Sequence, residues 1–446
     1  MTDTAATLHA VLSAHLPVDA RGLLVALSGG ADSAALLSLL HEAKFRQLPL
    51  RAVHVDHGLQ PAAAATFRAA AQSLCDRLEV PLKVVWVQVD VSEGVSIEAA
   101  AREARYAVLA AEVGESECLL TAHHREDQAE TVLLQALRGA GLKGMAAMPG
   151  CRPFGRGWHA RPLLDMAQSE LLQLGGEQLR GSTALDPMNA DLRFDRSYLR
   201  QQVWPLMTGR WPGAGAALSR AARHMAQAQE LMDLAGQEDL AKLRDGDALA
   251  ITGLRVLSPA RRSNAVRLWL SEAGVELPST ARLEEALRQV LRADEDHVPA
   301  IVWSGHAMRR YRQRLFLTAA VAPRIQERLA WSMRPAVPLI LGEQLGSISL
   351  APQLGGLDPR CLPDVLQVRR REGGETLRPA PLAKTQTVQH LCQSLGVLPW
   401  MRDSLPFVFA GNELVAVGDL WQEARFCAAS REPGLRIAWR GAPIIV

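Results

Sequence analysis

Apolar runs alternate with alanine-rich amphipathic segments through the first third of this 446-residue chain. The apolar runs have the length of buried strands, and the segments between them have the length and composition of helices. The predicted strands cover residues 23–27, 50–55, 82–87 and 118–122, and the predicted helices cover 34–40, 62–78 and 97–113. This order predicts an α/β fold with a doubly wound parallel sheet, right-handed crossovers and helices on both faces.

The alternation weakens after Pro149. Residues 150–161 contain three glycines and a proline, which predicts a loop. Regularly spaced leucines then predict a mostly helical region from 216 to 317. Near the C-terminus, apolar runs at 407–410 and 413–417 are separated by Gly-Asn, a pattern typical of a β-hairpin.

These patterns divide the chain into an N-terminal α/β domain, a helical domain, a proline-dotted linker and a small β-rich C-terminal domain. More than one domain is expected because a single core rarely grows beyond about 300 residues. The predicted bounds are 1–212, 213–320, 321–356 and 357–446.

Composition limits the class of protein. Hydrophobic residues make up 48% of the chain and the net charge is +2, so we expect a soluble globular protein whose partners depend on local charge. No apolar stretch is long enough to span a bilayer, and residues 1–4 do not begin a secretory signal. Six cysteines occur without a C-x-x-C pair, which argues against disulfides or zinc and favours the reducing cytoplasm.

The strongest chemical motif is the loop Ser28-Gly29-Gly30-Ala31-Asp32-Ser33, between the first predicted strand and helix. A glycine-rich turn in this position directs backbone N–H groups and a helix N-terminus at one point, which favours phosphate. The hydroxyls of Ser28 and Ser33 can add donors, and Asp32 can hold Mg²⁺ beside the phosphates. The loop lacks the lysine that usually serves γ-phosphate transfer. An ordinary turn is the alternative, but strand, loop, acid and helix all fall in register.

A second polar cluster follows the fourth predicted strand. Two histidines (123–124) come directly after it, and the spacing of Asp127 and Glu130 puts both carboxylates on one face of a helix start. Since parallel sheets bind ligands beyond the carboxyl ends of their strands, we expect this cluster, loop 28–33 and residues 56–58 at one edge. Two carboxylates there can position Mg²⁺ or an amine. Acids are also common in helix starts that bind nothing, and the histidine spacing does not match a zinc site.

These motifs form part of an ordered series. Loop 28–33 resembles the SGGxDS loop of the ATP pyrophosphatases, which break ATP between the α- and β-phosphates and adenylate a substrate. Over nearly its whole length the chain is similar to the bacterial tRNA(Ile)-lysidine synthetases of this PP-loop superfamily. The matching pieces are residues 28–33, 55–59, 98–106, 123–131, 138–141, 144–145, 161–164, 186–189, 194–200, 368–379 and 398–403.

The resemblance implies an ATP-dependent carbon–nitrogen ligase with an adenine nucleotide α-hydrolase-like catalytic domain and two tRNA-binding domains. Such enzymes adenylate the C2 oxygen of the wobble cytidine in the CAU anticodon of an isoleucine tRNA and release pyrophosphate. The ε-amino group of free lysine then attacks C2 and expels AMP, which forms lysidine and changes decoding from AUG to AUA. The implied cofactors are ATP and Mg²⁺. The implied partners are this tRNA, free L-lysine and a second copy of the chain in a homodimer, with no membrane.

The resemblance also implies roles for individual residues. Asp32 is implied as the Mg²⁺ ligand, and His123, Asp127 and Glu130 as the lining of the pocket for activation and lysine capture. Arg102 or Arg105, with Arg196 or Arg200, is implied to neutralise charge on the adenylate, although a plain surface position explains these arginines nearly as well. The implied ATP-binding residues are Ser28, Gly29, Gly30, Ala31, Asp32, Ser33 and Asp56.

The chain departs from the family pattern in three places. Glu126 and Ser197 stand where aspartate and asparagine are usual, which puts a metal contact and a hydrogen bond in question. Lys384 is what remains of a basic helix start, which predicts a weaker phosphate contact there, and residues 369–371 are a candidate replacement or a charged strand edge. A candidate tRNA-docking surface in the helical region comprises Arg255, Arg261, Arg262 and Arg267.

Three other functions stay open at the level of sequence. A tRNA 2-thiolase of the same superfamily also adenylates a base, but it generally needs paired or catalytic cysteines. A non-catalytic tRNA-binding protein has no need for the intact acids Asp32, Asp127 and Glu130 or the serines of the loop. A small amidating ATP pyrophosphatase leaves the two C-terminal domains unexplained.

Overall fold

The computed structural model describes residues 2–58, 61–89, 97–176, 191–293, 299–333 and 337–443. The chain divides into two compact units, Met1–Met232 and Asp233–Val446. No helix in the described ranges is long and apolar enough to cross a membrane. The motif at 186–189 lies outside the described residues.

The first unit is built on a six-stranded sheet. Its strands are β1 (Gly22–Ala26), β2 (Leu50–Asp56), β3 (Leu82–Trp86), β4 (Glu117–Leu120), β5 (Cys151–Phe154) and β6 (Gly157–Ala160). Its helices are α1 (Thr2–His15), α2 (Ala31–Ala43), α3 (Pro61–Leu78), α4 (Ile97–Glu112), α5 (Arg125–Leu137), α6 (Leu142–Met145), α7 (Gln168–Gly175), α8 (Asp195–Tyr198), α9 (Trp204–Arg210) and α10 (Ala214–Leu243), which continues into the second unit. A π-helical turn, Leu199–Val203, joins α8 to α9.

The strand order is β3-β2-β1-β4-β6-β5, and all neighbours are parallel except β5 with β6. Alternate residues of β1 enter different cores, as the two-residue period of a strand requires. Leu23 and Val25 pack with α1, α2 and α3, whereas Leu24 packs with Leu109 and Val113, on and just beyond α4. Because both faces are covered at the centre of the sheet, β1 is continuously apolar. The predicted α/β fold is confirmed.

The predicted loop at 150–161 is wrong, because β5 and β6 form a hairpin there. Its glycines serve close packing. A Cβ on Gly155 would lie 2.3 Å from the carbonyl oxygen of Ala110, and one on Gly157 would lie 2.1 Å from that of Glu117. Glycine density therefore marks a hairpin pressed against α4 and β4, where larger residues do not fit.

The second unit contains three larger antiparallel sheets. Its helices are α11 (Ile251–Val256), α12 (Pro259–Glu272), α13 (Thr280–Arg292) and α14 (Val388–Leu395). Its strands are β7 (Arg244–Asp245), β8 (Ala248–Ala250), β9 (Ala300–Trp303), β10 (His306–Tyr311), β11 (Arg314–Ala319), β12 (Leu329–Ser332), β13 (Leu339–Gly342), β14 (Gly346–Leu354), β15 (Val365–Arg369), β16 (Thr376–Leu377), β17 (Gln386–Thr387), β18 (Phe407–Ala410), β19 (Glu413–Val417), β20 (Trp421–Gln422) and β21 (Pro433–Arg440). Their orders are β7-β8-β11-β10-β9, β12-β15-β18-β19-β20 and β13-β14-β21, with β16 paired to β17.

Two segments of this unit differ from the sequence prediction in their secondary structure. The region predicted as helical carries a five-stranded sheet beside α11, α12 and α13. The segment predicted as a linker, 321–356, holds β12, β13 and β14, and β14 pairs with β21 along eight residues. Pro338 precedes β13 and Pro352 lies near the end of β14, so prolines that suggested a linker stand at strand ends. The predicted hairpin of β18 and β19 is present.

Candidate active site

The turn from β1 to α2 has a backbone that only glycine can follow. Gly29 has φ +86°, and a Cβ there would lie 2.4 Å from the carbonyl oxygen of Phe67 in α3. Ser28 and Ser33 then close the loop, because the Ser33 hydroxyl accepts a hydrogen bond from the Ser28 N–H at 3.1 Å and donates to the Gly30 carbonyl at 3.1 Å. The result is a preformed turn at the N-terminus of α2, which suits an anion.

Asp32 lies in the first turn of α2 and is tied to α7. The side-chain amide of Gln168 donates to both Asp32 carboxylate oxygens, at 3.0 and 3.2 Å. The backbone N–H of Gln168 donates to Glu126 Oε2 at 2.9 Å. One residue of α7 thus joins the loop after β1 to the helix after β4.

The end of β2 shapes the same edge. The carboxylate of Asp56 accepts from the Gly58 N–H and from the Arg68 guanidinium, each at 3.0 Å. His54 accompanies it, with Nδ1 2.8 Å from the Leu27 carbonyl oxygen, and burial lowers the pKa of His54. A neutral His54 therefore donates from Nδ1 to the carbonyl oxygen of Leu27, which directly precedes loop 28–33. Asp56, predicted to bind nucleotide, is engaged in shaping its own turn.

His124 occupies the centre of the predicted site. It is buried, with Nδ1 3.0 Å from Glu126 Oε2 and Nε2 3.3 Å from Asp127 Oδ2 and 3.8 Å from Asp32 Oδ2. Burial alone would lower the pKa of His124, but the hydrogen bond to Glu126 and the charges of Asp127 and Asp32 raise it above its usual value. Both ring nitrogens of His124 face carboxylate oxygens, which can only accept, so the arrangement favours the form of the ring that carries two protons.

Asp127 and Glu130 share one face of α5, as predicted, and two arginines cover them. Arg200 donates to Glu130 Oε1 at 2.7 Å and to Asp127 Oδ1 at 2.9 Å, while Arg196 donates to Glu130 Oε2 at 3.0 Å. Burial alone would raise the pKa of Asp127, but His124, Arg196 and Arg200 lower it. Arg196 was predicted to meet the adenylate, and here its guanidinium meets these carboxylates.

Arg102 and Arg105 lie on α4 around the ring of Tyr106. Their guanidinium carbons are 4.9 and 5.6 Å from the ring centre, and neither arginine forms an ion pair with a carboxylate in the described part of the chain. Burial alone would raise the pKa of Tyr106, but Arg102, Arg161 and Arg105 lower it. The local field is therefore positive and favours an anion.

His123 turns away from His124 and contacts the sheet. Its Nδ1 lies 2.8 Å from the Thr121 hydroxyl, which lies 2.9 Å from Nε2 of His159 on β6. Among the described residues, Nε2 of His123 has no hydrogen-bond partner. The structure thus brings loop 28–33, His123 and the α5 carboxylates to one edge of the sheet, as the sequence predicts.

Two contributors were missed at the sequence level, Gln168 and His159, whereas His124 lay in the predicted cluster and Thr121 in the strand before it, without an assigned role. His124 carried a signal, since it follows β4 directly, but its charge depends on three carboxylates from two helices. Gln168 and His159 contact residues that are distant from them in the sequence, and neither residue type stands out in a sequence pattern.

The described residues contain no group of three His, Cys, Asp or Glu side chains arranged to hold a metal on their own. This fits Mg²⁺, which commonly binds through one or two carboxylates together with substrate phosphates. Asp32 is the carboxylate at the N-terminus of α2 and is partly exposed. The chain's residues are therefore compatible with a metal that arrives with a nucleotide.

The cysteines do not form a reactive site. Burial raises the pKa of Cys118 to about 12 and that of Cys75 to about 11. The exposed Cys361 lies in the second unit. Because a thiolate is the reactive form, burial disfavours reactivity at Cys75 and Cys118.

The candidate arginines of the second unit are mostly engaged. Arg261 pairs with Asp239, Arg262 donates to two backbone carbonyls, Arg255 to one, and Arg267 to the Thr280 hydroxyl. They join α10, α11, α12 and α13.

Residues 369–371 differ in their contacts. Arg369 and Arg371 pair with Glu372 and Asp403, whereas Arg370 is exposed with no acidic partner in the described ranges. Lys384 is exposed just before β17.

Comparison with known proteins covers both units. A family model described as a PP-loop domain matches residues 2–207, and models described as the TilS substrate binding domain and the TilS substrate C-terminal domain match 249–316 and 366–439. The tRNA(Ile)-lysidine synthase of Alkalilimnicola ehrlichii is 41% identical over 434 residues, covering 96% of this chain and 95% of that protein. The protein of the same description from Coxiella burnetii is 37% identical, covering 88% and 87%, and that from Methylococcus capsulatus is 36% identical, covering 93% and 95%.

Proposed function

The chain belongs to the tRNA(Ile)-lysidine synthase family, and from this premise we propose how its candidate site forms lysidine. ATP is attacked at the α-phosphorus by the C2 oxygen of the wobble cytidine in the CAU anticodon of an isoleucine tRNA, and pyrophosphate leaves. The ε-amino group of free lysine, in its neutral form, then bonds to C2 and gives up one proton, while the C2–O bond breaks and AMP leaves with the oxygen. AMP is a far better leaving group than hydroxide, which is why the substrate is adenylated first.

Membership of the PP-loop family implies the use of ATP. We assign its phosphates to the turn at Gly29 and Gly30 and to the N-terminus of α2. Asp32 would hold Mg²⁺ beside the phosphates, and the metal would neutralise charge on the departing pyrophosphate. Arg102 and Arg105, which carry unneutralised charge at this edge, are assigned to the adenylate.

We assign lysine capture to Asp127 and Glu130. Two carboxylates on one helix face suit an ammonium group, and holding the amine in place converts a bimolecular step into an effectively unimolecular one. Arg196 and Arg200 form ion pairs with these acids. The bound lysine would replace part of that contact.

One observation supports the proposal above the others: the phosphate loop and the α5 carboxylates form one connected site. Gln168 bonds Asp32 through its side chain and Glu126 through its backbone. His124 lies within 3.8 Å of Asp32 and within 3.3 Å of Asp127. Adenylation and amine capture need this proximity, because the adenylated cytidine must meet lysine before water reaches it.

The proposal includes partners beyond the catalytic unit. The second unit matches the models described as the TilS substrate binding domain and the TilS substrate C-terminal domain, so we assign the body of the tRNA to it. We place the reaction in the cytoplasm and propose a homodimer, which light scattering of the purified protein would test. The family assignment favours lysidine formation over 2-thiolation, in keeping with the buried cysteines.

The test is incorporation of radiolabelled lysine into an unmodified CAU isoleucine-tRNA transcript, with ATP present and then omitted. We expect acid-stable label that requires ATP and does not appear in the methionine tRNA with the same anticodon. Pyrophosphate release without label would leave adenylation in place and exclude lysine as the nucleophile.

A further inference from the structure

A buried chain of hydrogen bonds runs from His123 into the sheet. His123 Nδ1 is 2.8 Å from Thr121 Oγ1, Thr121 Oγ1 is 2.9 Å from His159 Nε2, and the Arg161 guanidinium is 3.4 Å from His159 Nδ1. Thr121, His159 and Arg161 are each more than nine-tenths buried. The ring of His159 is fixed between Phe154 and Tyr106, with centroid distances of 5.4 and 5.7 Å.

The donors and acceptors of this chain have one consistent arrangement. Arg161 can only donate, so Nδ1 of His159 must carry its lone pair. A neutral His159 then has its proton on Nε2 and donates to the Thr121 oxygen. The Thr121 hydroxyl has one hydrogen, and Nδ1 of His123 is its remaining partner. Since a hydroxyl hydrogen buried without an acceptor is unfavourable, Nδ1 of His123 accepts and Nε2 of His123 carries the proton.

The charge state agrees with this arrangement. Burial, helped by the nearby guanidinium of Arg161, lowers the pKa of His159 to about 2. Burial also lowers the pKa of His123 to about 3, with Asp127 opposing and Arg161 and Arg196 assisting. Both rings are therefore neutral at physiological pH, and each carries one proton.

We infer that Thr121, His159 and Arg161 are positioning residues that hold His123 as the neutral Nε2–H tautomer, so that His123 donates a hydrogen bond in the active site and is not its general base. The identity of the acceptor rests on the proposed function: an oxygen of the reacting nucleotides that gains negative charge. A fixed neutral donor aimed at developing charge stabilises a transition state without reorganisation.

The direct test is ¹⁵N NMR of the full-length protein labelled at histidine nitrogens, without substrates. The His123 signals are assigned by their loss in His123→Gln. We expect the hydrogen-bearing nitrogen of His123 to be Nε2 in the wild type and the tautomers to mix in Thr121→Val. A proton on Nδ1 in the wild type, or a charged ring at neutral pH, would overturn the inference. This measurement does not depend on enzymatic activity, so its outcome is distinguishable from a failure of the proposed function.

Kinetics supply the second readout. Thr121→Val keeps the shape of the side chain and removes the hydroxyl that links His159 to His123. We expect kcat for lysine incorporation to fall about 10- to 100-fold, while the KM for ATP and for lysine changes little. His159→Gln retains an N–H donor and should therefore keep part of the wild-type kcat. His159→Phe has no such donor and should show the full loss.

The matched control is Thr208→Val, whose hydroxyl donates to the Trp204 carbonyl at 2.9 Å, outside the site. It should behave as the wild type. An unchanged kcat in Thr121→Val would refute the positioning role.

Discussion

At the scale of single residues, the site depends on positions where only one residue type fits. Gly29 is the clearest, because a side chain there meets both a positive φ and the Phe67 carbonyl oxygen. The serines and Asp32 arrange themselves around that turn. The motif 28–33 was therefore predictable from sequence, since each residue type serves a local need.

We expect Gly29→Ala to abolish ATP binding and to lower the free energy of unfolding by about 1–3 kcal/mol or more. The alanine would be strained by the positive φ, and its Cβ would also clash with the Phe67 carbonyl oxygen. The control is Gly139→Ala, which has φ +68° and nothing within 4 Å of the new Cβ. It should cost about 1 kcal/mol and leave ATP binding intact. Urea denaturation and nucleotide titration measure the two effects. Normal ATP affinity in Gly29→Ala would mean that the loop does not hold the nucleotide.

Other residue-scale features could not be foreseen. Arg196 and Arg200 were candidates for the adenylate, yet they meet Asp127 and Glu130 because α8 and the π-helical turn bring them over α5. His124 was adjacent to a predicted residue, but its raised pKa follows from carboxylates on α2 and α5. Such charges depend on packing between distant segments, which residue patterns do not specify.

At the scale of elements, buried strands were the most predictable part of the chain. β1 and β4 are almost wholly apolar and buried, and β2 and β3 carry mostly apolar residues, so their runs stand out in sequence. The β5–β6 hairpin was missed because glycines that allow close approach look like loop glycines. β12 to β14 were missed because prolines at strand ends look like a linker.

The strands of the first unit also predict a response to acid. His54 on β2 and His159 on β6 are buried, and burial lowers the pKa of each. A histidine whose folded pKa lies below its unfolded value of about 6.5 stabilises the protein above pH 6.5. This stabilisation is lost as the pH falls towards the folded pKa, since the unfolded chain binds protons first.

We therefore expect the free energy of unfolding of the first unit to fall between pH 6.5 and 5, and His159, whose folded pKa is about 2, to contribute about 1.4 kcal/mol per pH unit to this fall once the unfolded chain is protonated. In His159→Gln the slope should be shallower by about that amount. Pulse proteolysis in urea, scored on fragments of residues 1–232 by mass spectrometry, measures it. Equal slopes in the two proteins would show that His159 is not held neutral.

At the scale of the whole molecule, the proposed function assigns chemistry and tRNA binding to different parts of the chain. The PP-loop match covers 2–207, and the two substrate-domain matches lie in the second unit. In that unit most candidate arginines are hydrogen-bonded by neighbouring side chains or backbone carbonyls. Arg370 is the exception among residues 369–371, so it is the expected phosphate contact there.

Arg370→Ala should weaken tRNA binding and reduce the slope of log affinity against log salt by about 1. Its control is Arg360→Ala, because Arg360 is exposed but paired with Asp358 and Glu432 and should contribute no such slope. Filter binding of the CAU isoleucine tRNA across a salt series gives both values. If the two variants have the same slope as the wild type, residues 369–371 do not replace the reduced basic motif at Lys384.

The central claim is that one connected site adenylates at the Asp32 loop and captures lysine at the α5 carboxylates. It is tested most directly by measuring pyrophosphate release and labelled-lysine incorporation in parallel, in the wild type, Asp32→Ala and Glu130→Gln. We predict that Asp32→Ala loses both signals while still binding tRNA. Glu130→Gln should keep pyrophosphate release and lose about 10- to 100-fold in lysine kcat/KM. Normal pyrophosphate release by Asp32→Ala, or unchanged lysine use by Glu130→Gln, would contradict the account.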